Sequence, residues 1–263
     1  MNTPTPFTAH EALPFIHHLH TKHPLVHCLT NSVVQNFTAN VLLAIQASPA
    51  MIPAIEEIED FSHAATALLI NVGTVEKHSA QSMLFAAENA HNIGLPWVLD
   101  PVAVGVVSFR SNLVRSMLAY KPTVIRGNPS EILYLSGRAT TAQGADSLDS
   151  SSAALPAAIE LAQKHATIVA VTGEVDYITN GQITYAIEGG HVHLTRVTGT
   201  GCSLSAMVAA FVGCTPTEHH PQAVATACLM MKKAGEAAAT QAQGMGSFAV
   251  GLLDALSTLC MDA

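Results

Sequence analysis

Residues 67–74 read Ala67-Leu68-Leu69-Ile70-Asn71-Val72-Gly73-Thr74. Four apolar residues follow one another without polar alternation, and the chain then turns abruptly to an amide and a glycine. A strand with one face in water alternates with period two, whereas an unbroken run is expected where helices cover both faces of a parallel sheet. Ile168–Val171, followed by Thr172-Gly173, repeats the pattern. Working outward, apolar and β-branched runs predict strands at Leu25–Cys28, Ala67–Asn71, Trp97–Asp100, Val124–Gly127, Ile168–Thr172, Val175–Thr179 and Gln182–Glu188. Helical patterns separate them at Glu11–Thr21, Val34–Ala47, Ile58–Ala65, Glu76–Ile93, Ser111–Tyr120, Ser130–Leu135 and Ala153–His165. The alternation predicts an α/β fold with a mostly parallel central sheet and helices on both faces.

The last third differs. Asn180-Gly181 between two strand runs predicts a β-hairpin with a type I′ turn. After Gly201 the pattern is helical, over Cys202–Val212, Pro221–Gln243 and Ser247–Met261. The Ser/Ala/Gly-rich stretch Ser136–Ala153 reads as a surface loop. No repeat or composition break divides the chain, so residues 1–263 are expected to form one domain.

Composition narrows the classes. Hydrophobic residues make up 49% of the 263 and charged ones only 11%, against about 25% charged in an average soluble domain. That is the reverse of a disordered polyelectrolyte. With 11 Lys+Arg against 19 Asp+Glu, the net charge of -8 argues against nucleic-acid binding. The uncharged segment Pro24–Ile55 is interrupted by His27, Asn31, Gln35, Asn36, Asn40 and Gln46, so it does not read as a membrane span. The N-terminus has no signal-peptide pattern. Five widely spaced cysteines without a C-x-x-C fit a reducing compartment, and a cytoplasmic location is expected. Of these, Cys28, Cys214, Cys228 and Cys260 read as small buried hydrophobes. The crowd of His17, His18, His20, His23 and His27 matches no metal-ligand spacing. His219-His220 reads as loop, and Lys232-Lys233 as a short exposed pair.

Ligands of an open parallel sheet bind beyond the carboxyl ends of its strands. Four ends change abruptly there: Asn71-Val72-Gly73-Thr74, Asp100-Pro101-Val102, Arg126-Gly127-Asn128-Pro129-Ser130-Glu131 and Thr172-Gly173-Glu174. A fifth segment, Val197-Thr198-Gly199-Thr200-Gly201-Cys202-Ser203-Leu204-Ser205, places glycines before a helix. Its free amides and positive dipole end suit a phosphate gaining charge. No Gly-Lys-Ser/Thr follows, so it is not a Walker A loop, and it lacks the third glycine of the dinucleotide fingerprint. Taken alone, Gly-x-Gly before a helix fits an ordinary helix N-terminus equally well.

Together with these segments, His27-Cys28-Leu29-Thr30-Asn31, Ala47-Ser48-Pro49-Ala50-Met51 and Val171-Thr172-Gly173-Glu174-Val175-Asp176 resemble, in order along nearly the whole chain, the hydroxyethylthiazole kinases of thiamin salvage. That resemblance implies a three-layer α/β/α ribokinase-like fold, a homotrimer with active sites at subunit interfaces, and ATP-dependent phosphorylation of 4-methyl-5-(2-hydroxyethyl)thiazole with Mg²⁺. It implies that Asp100 and Glu131 hold the metal and its waters, with Glu131 in the superfamily's Asn-x-x-Glu motif. A helix N3 acid stabilising the dipole is an alternative role for Glu131.

By the same resemblance Arg126 and Thr172 contact ATP, Met51, Gly199 and Asn31 line the thiazole pocket, and Gly199, Thr200, Gly201 and Cys202 form the catalytic loop. Ribokinase-like enzymes usually carry Asp as base where this chain has Cys202, and kinases of hydroxymethylpyrimidine or pyridoxal are expected to show it. A thiol at a helix N-terminus can have a depressed pKa, which makes a thiolate base one expectation. The loose transition state of phosphoryl transfer needs little early deprotonation, so positioning and charge stabilisation are expected to matter more. The low charge then fits a subunit that hides surface against neighbours around Asn31–Met51.

Overall fold

The computed structural model describes residues 3–138 and 150–261. Among these, nine strands form one sheet: β1 Thr5–Pro6, β2 Leu25–Leu29, β3 Ser48–Ala50, β4 Ala67–Asn71, β5 Trp97–Asp100, β6 Val124–Gly127, β7 Ile168–Val171, β8 Asp176–Thr179 and β9 Thr184–Ile187. Their spatial order is β1-β9-β8-β7-β6-β5-β4-β2-β3. All neighbouring pairs are parallel except β7–β8 and β8–β9, so β8 alone runs against the others. The helices are α1 Ala9–Lys22, α2 Gln35–Ala44, α3 Ile58–Ala64, α4 Lys77–Ile93, α5 Ser108–Met117, α6 Pro129–Ser136, α7 Ser151–His165, α8 Thr200–Gly213, α9 His220–Gln241 and α10 Met245–Met261.

The unbroken apolar runs have the cause inferred for them. Along β4, Ala67 and Leu69 join the core under α1, α2, α8 and α9, while Leu68 and Ile70 join the core under α3, α4, α5 and α7. Val169 and Ala170 divide the same way on β7. Both faces are dry, so neither can be polar. On the first face α8 lies directly over β2, β4 and β5. Every residue from Ser203 to Val212 is buried, and small residues (Ala206, Ala209, Ala210) let it approach closely. A side chain at Gly213 would stand 3.0 Å from the Thr66 carbonyl. No helix among the described residues is long and apolar enough to cross a membrane.

Several boundaries differ from expectation, each for a local reason. The Asn180-Gly181 turn is not a two-residue type I′ turn: Thr179 pairs with Thr184, giving a four-residue connection. Asn180 has no positive φ. Its side-chain oxygen instead accepts from the amides of Gln182 and Ile183, both at 3.0 Å, and Gly181 alone takes the left-handed conformation at φ +88°. Such an Asx closure replaces the backbone geometry of the primed turn. Strands β1 and β3 have two and three residues, too few to carry a period. His220 is not in a loop; it opens α9, buried, with Nε2 3.1 Å from the Thr215 carbonyl oxygen. Most of the Ser136–Ala153 stretch lies outside the described residues, and its ends belong to α6 and α7. Cys28 and Cys228 are buried and Cys214 half-buried, all three free thiols; the Cys260 side chain lies outside the described residues.

Candidate active site at the carboxyl edge of the sheet

Parallel pairing brings the carboxyl ends of β2, β4, β5, β6 and β7 to one edge, with Asn71 opposite Asp100 and Gly127 opposite Val171. The residues leaving these strands meet there in a connected polar network. Asn71 Nδ2 donates to Asp100 Oδ2 at 2.7 Å, and Ser205 Oγ, from α8 above, donates to the same oxygen at 2.8 Å. Arg126 Nη1 stands 4.0 Å from that oxygen, while Arg126 Nη2 donates to Thr172 Oγ1 at 2.5 Å. On the other side Asn31 Nδ2 donates to Asn71 Oδ1 at 2.9 Å and to Cys202 Sγ at 3.4 Å. Asn31 lies flat on Gly73, where any Cβ would come within 2.8 Å of its amide nitrogen.

Asp100 and Glu131 are both almost fully buried. Glu131 arrives through its helix cap: Asn128 Oδ1 accepts from the Glu131 amide at 3.0 Å, and Glu131 Oε2 accepts from the Asn128 amide at 2.8 Å. This reciprocal capping box is the structural role weighed for Glu131, and it is present. Its other oxygen, Oε1, accepts from the Ala103 amide at 2.9 Å. Burial, and then the charge of Asp100, push the Glu131 carboxyl up to about 7. Burial likewise raises Asp100, against Arg126 and the hydrogen bonds of Ser205 and Asn71. A buried carboxyl raised by the charge of a second buried carboxylate is an arrangement that suits a cation. All three partners of Asp100 meet at Oδ2, which leaves Oδ1 for a hard cation. Magnesium, which takes one or two carboxylates and completes its shell with water and phosphate oxygens, fits these residues. Among the described residues no cluster of three or more His, Cys, Asp and Glu forms a closed metal cage.

Above the carboxylates, α8 begins. Gly199 caps it with φ +97°, and a side chain there would press on Val34 at 3.0 Å. The Ser203 amide bonds the Gly199 carbonyl at 2.8 Å, so the amides of Thr200, Gly201 and Cys202 precede the first helical bond and face outward. Gly201 packs against the guanidinium: a Cβ there would lie 3.0 Å from Arg126 Nη1. Arg126 Nε is buried without a partner. A guanidinium with unused donors beside three free amides is an anion site. Thr200 contributes through its backbone, because its hydroxyl turns back to donate to the Leu194 carbonyl at 2.6 Å.

Cys202 differs from the thiolate expectation. Burial, and then the charge of Asp100, push its thiol up to about 11, against the hydrogen bonds of Asn71 and Asn31 and the charge of Arg126. Met51 follows β3 at the same edge as Asn31 and is half-buried against the α8-side core. The segment is tied to β2 by His27, which lies opposite Ala50 and whose Nε2–H bonds the Ile52 carbonyl at 2.8 Å.

Some members of this edge carried no assigned role in the sequence. Asn71 opens the strand end Asn71-Val72-Gly73-Thr74, and Ser205 lies one helical turn after Cys202 on the same face. Lys232 is not exposed: it is buried and paired with Asp176 at 3.5 Å. Lys233 is the exposed member of that doublet, bonded to Glu236 at 2.8 Å.

A three-layer α/β/α arrangement whose mostly parallel sheet ends in buried carboxylates, an arginine and a glycine-led helix has the ribokinase-like fold. A solved ribokinase-like superfamily protein from Enterococcus faecalis, at 12% identity, shares the fold with a TM-score of 0.70 over 100% of this chain and 98% of that one. Over residues 16–262 the sequence matches the hydroxyethylthiazole kinase family, and the chain belongs to that family. The hydroxyethylthiazole kinase of Pectobacterium carotovorum is 55% identical over 260 residues, 98% of each chain. The solved hydroxyethylthiazole kinase of Pyrococcus horikoshii is 37% identical, with a TM-score of 0.85 over 94% of this chain and 92% of that one.

Proposed function

We propose that this chain transfers the γ-phosphoryl group of ATP to the hydroxyl of 4-methyl-5-(2-hydroxyethyl)thiazole, with Mg²⁺, as a homotrimer in the cytoplasm. The observation that carries the reading is the α8 N-terminus: three outward amides beside Arg126, over Asp100 and Glu131. The amides of Thr200, Gly201 and Cys202 bind the equatorial oxygens of the phosphoryl in flight, donors fixed before charge develops. Arg126, steadied by Thr172, binds the phosphate oxygens from the side. Asp100 and Glu131 would hold a magnesium ion and its waters, which would supply neutralisation of phosphate charge. Asn31, Gly199 and Met51 line the side where the thiazole enters, so the alcohol reaches the phosphoryl from the α2 side. Cys202, a neutral thiol at working pH, touches the hydroxyl as a packing and hydrogen-bonding partner and not as a base.

Val33, Leu43 on α2 and Val250 on α10 are exposed apolar residues, and α2 packs against α10. This face, close to Asn31, is the surface proposed to meet neighbouring subunits, and sedimentation should give a trimer mass. The activity is tested by coupled ADP release with the thiazole alcohol as acceptor. Release that depends on the alcohol and drops at least tenfold in Glu131→Gln supports the reading; alcohol-independent release overturns it.

A further inference from the structure

Lys232 Nζ donates to the carbonyls of Gly173 at 3.1 Å, Glu174 at 2.9 Å and Gly189 at 3.2 Å. An ammonium has three donors, so all are used within the protein, and Asp176 at 3.5 Å answers the charge. Lys232 therefore has no hydrogen left for a ligand. What it does is join three segments that are remote in sequence. Gly173 and Glu174 form the turn that carries Thr172 out of β7, and Asp176 Oδ1 accepts from the Gly173 amide at 2.9 Å. The same turn is backed by α7, since a Cβ on Gly173 would meet Ser151 Oγ at 3.1 Å. Gly189, at φ +96°, starts the segment running from β9 to α8. One turn further along α9, Glu236 Oε1 accepts from the Gly190 amide at 2.8 Å. That segment then packs Leu194 onto Gly235, where a Cβ would lie 2.8 Å away, and the Leu194 carbonyl receives the Thr200 hydroxyl. One ammonium thus fixes both Thr172 and the approach to the α8 N-terminus.

We propose that Lys232 is a positioning residue for the nucleotide phosphates, setting the Thr172 turn and the β9–α8 segment in register with Arg126. The proposal rests on reading this edge as the ATP site. Its test is binding of ATP–Mg²⁺ and of the thiazole alcohol, each measured separately by calorimetry on the full chain. Lys232→Met is expected to weaken nucleotide binding tenfold or more and thiazole binding by a clearly smaller factor. Because part of the effect of Lys232 passes through the turn, Lys232→Met combined with Thr172→Ala is expected to lose less than the product of the two single losses. Should Lys232→Met fail to fold, the neutral pair Lys232→Met/Asp176→Asn takes its place with the same expected selectivity. Equal weakening of both ligands, or losses that multiply with Thr172→Ala, would overturn the proposal. Arg126→Ala separates the two levels: unchanged nucleotide binding there refutes the ATP site itself, whereas a loss there with none in Lys232→Met refutes only the role of Lys232.

Discussion

Replacing Gly201 by alanine should move stability and catalysis in opposite directions. Gly201 is the second residue of α8 and has no positive φ, so alanine meets no backbone strain. In a helix interior alanine is favoured over glycine by up to about 1 kcal/mol, less in the first turn. The cost falls on Arg126. A Cβ at 3.0 Å from Nη1 and 3.2 Å from Nη2 must be relieved to at least 3.4 Å, so the guanidinium retreats by about 0.4 Å. That retreat disturbs its 2.5 Å bond to Thr172 and its approach to Asp100, and withdraws its donors from the phosphate. Hydrogen bonds to charged groups are worth about 1.5–3 kcal/mol, which corresponds to a loss of roughly tenfold to 100-fold in kcat/KM for ATP. Initial rates against ATP at saturating alcohol, alongside thermal melting, measure both. The expected result is a melting temperature equal to or above the parent's with at least a tenfold drop in kcat/KM. A value within twofold of the parent would refute the argument that this contact positions the guanidinium.

Cys202→Ala should keep activity within about tenfold of the parent, and lose far less than Gly199→Ala, which forces a side chain into φ +97° against Val34; rates of the two variants compare positioning with base strength directly. With its thiol pushed up to about 11, Cys202 should react with iodoacetamide at a rate still climbing above pH 9, followed by peptide mass spectrometry, whereas a plateau below pH 8 would indicate a thiolate. In the protein free of metal and nucleotide, Glu131 holds its proton more tightly folded than unfolded, so its stability contribution is present below pH 4.5 and lost as pH rises through about 7. The corresponding loss is about 3 kcal/mol, read as a steeper fall in urea stability from pH 5 to 8 than Glu131→Gln shows.

The sheet was legible because its chemistry is repetitive: β4 and β7 are buried on both faces, and only continuous apolar runs survive there. The ends of those strands also stood out, since Asn71, Asp100, Arg126 and Thr172 each interrupt an apolar run at the same edge. What the sequence hid depends on contacts between distant segments. In Lys232-Lys233, adjacent helix positions point about 100° apart, but nothing local says that Lys232 faces three carbonyls from the β7–β8 turn and the β9 exit. A helix terminus alone allows a depressed Cys202 thiol; burial beside Asp100 is a tertiary fact and raises it instead. The Asn180 turn misled because one side chain can close a loop in two ways, and the bonds from Gln182 and Ile183 select the four-residue form.

The most direct test of the account is product identity. With ATP, Mg²⁺ and 4-methyl-5-(2-hydroxyethyl)thiazole, the purified chain should yield ADP and the thiazole phosphate monoester in equal amounts, seen by ³¹P NMR. Arg126→Ala should reduce both together. Formation of ADP and free phosphate without the ester, or no turnover of ATP in the presence of the alcohol, would contradict the assignment of this sheet edge to phosphoryl transfer.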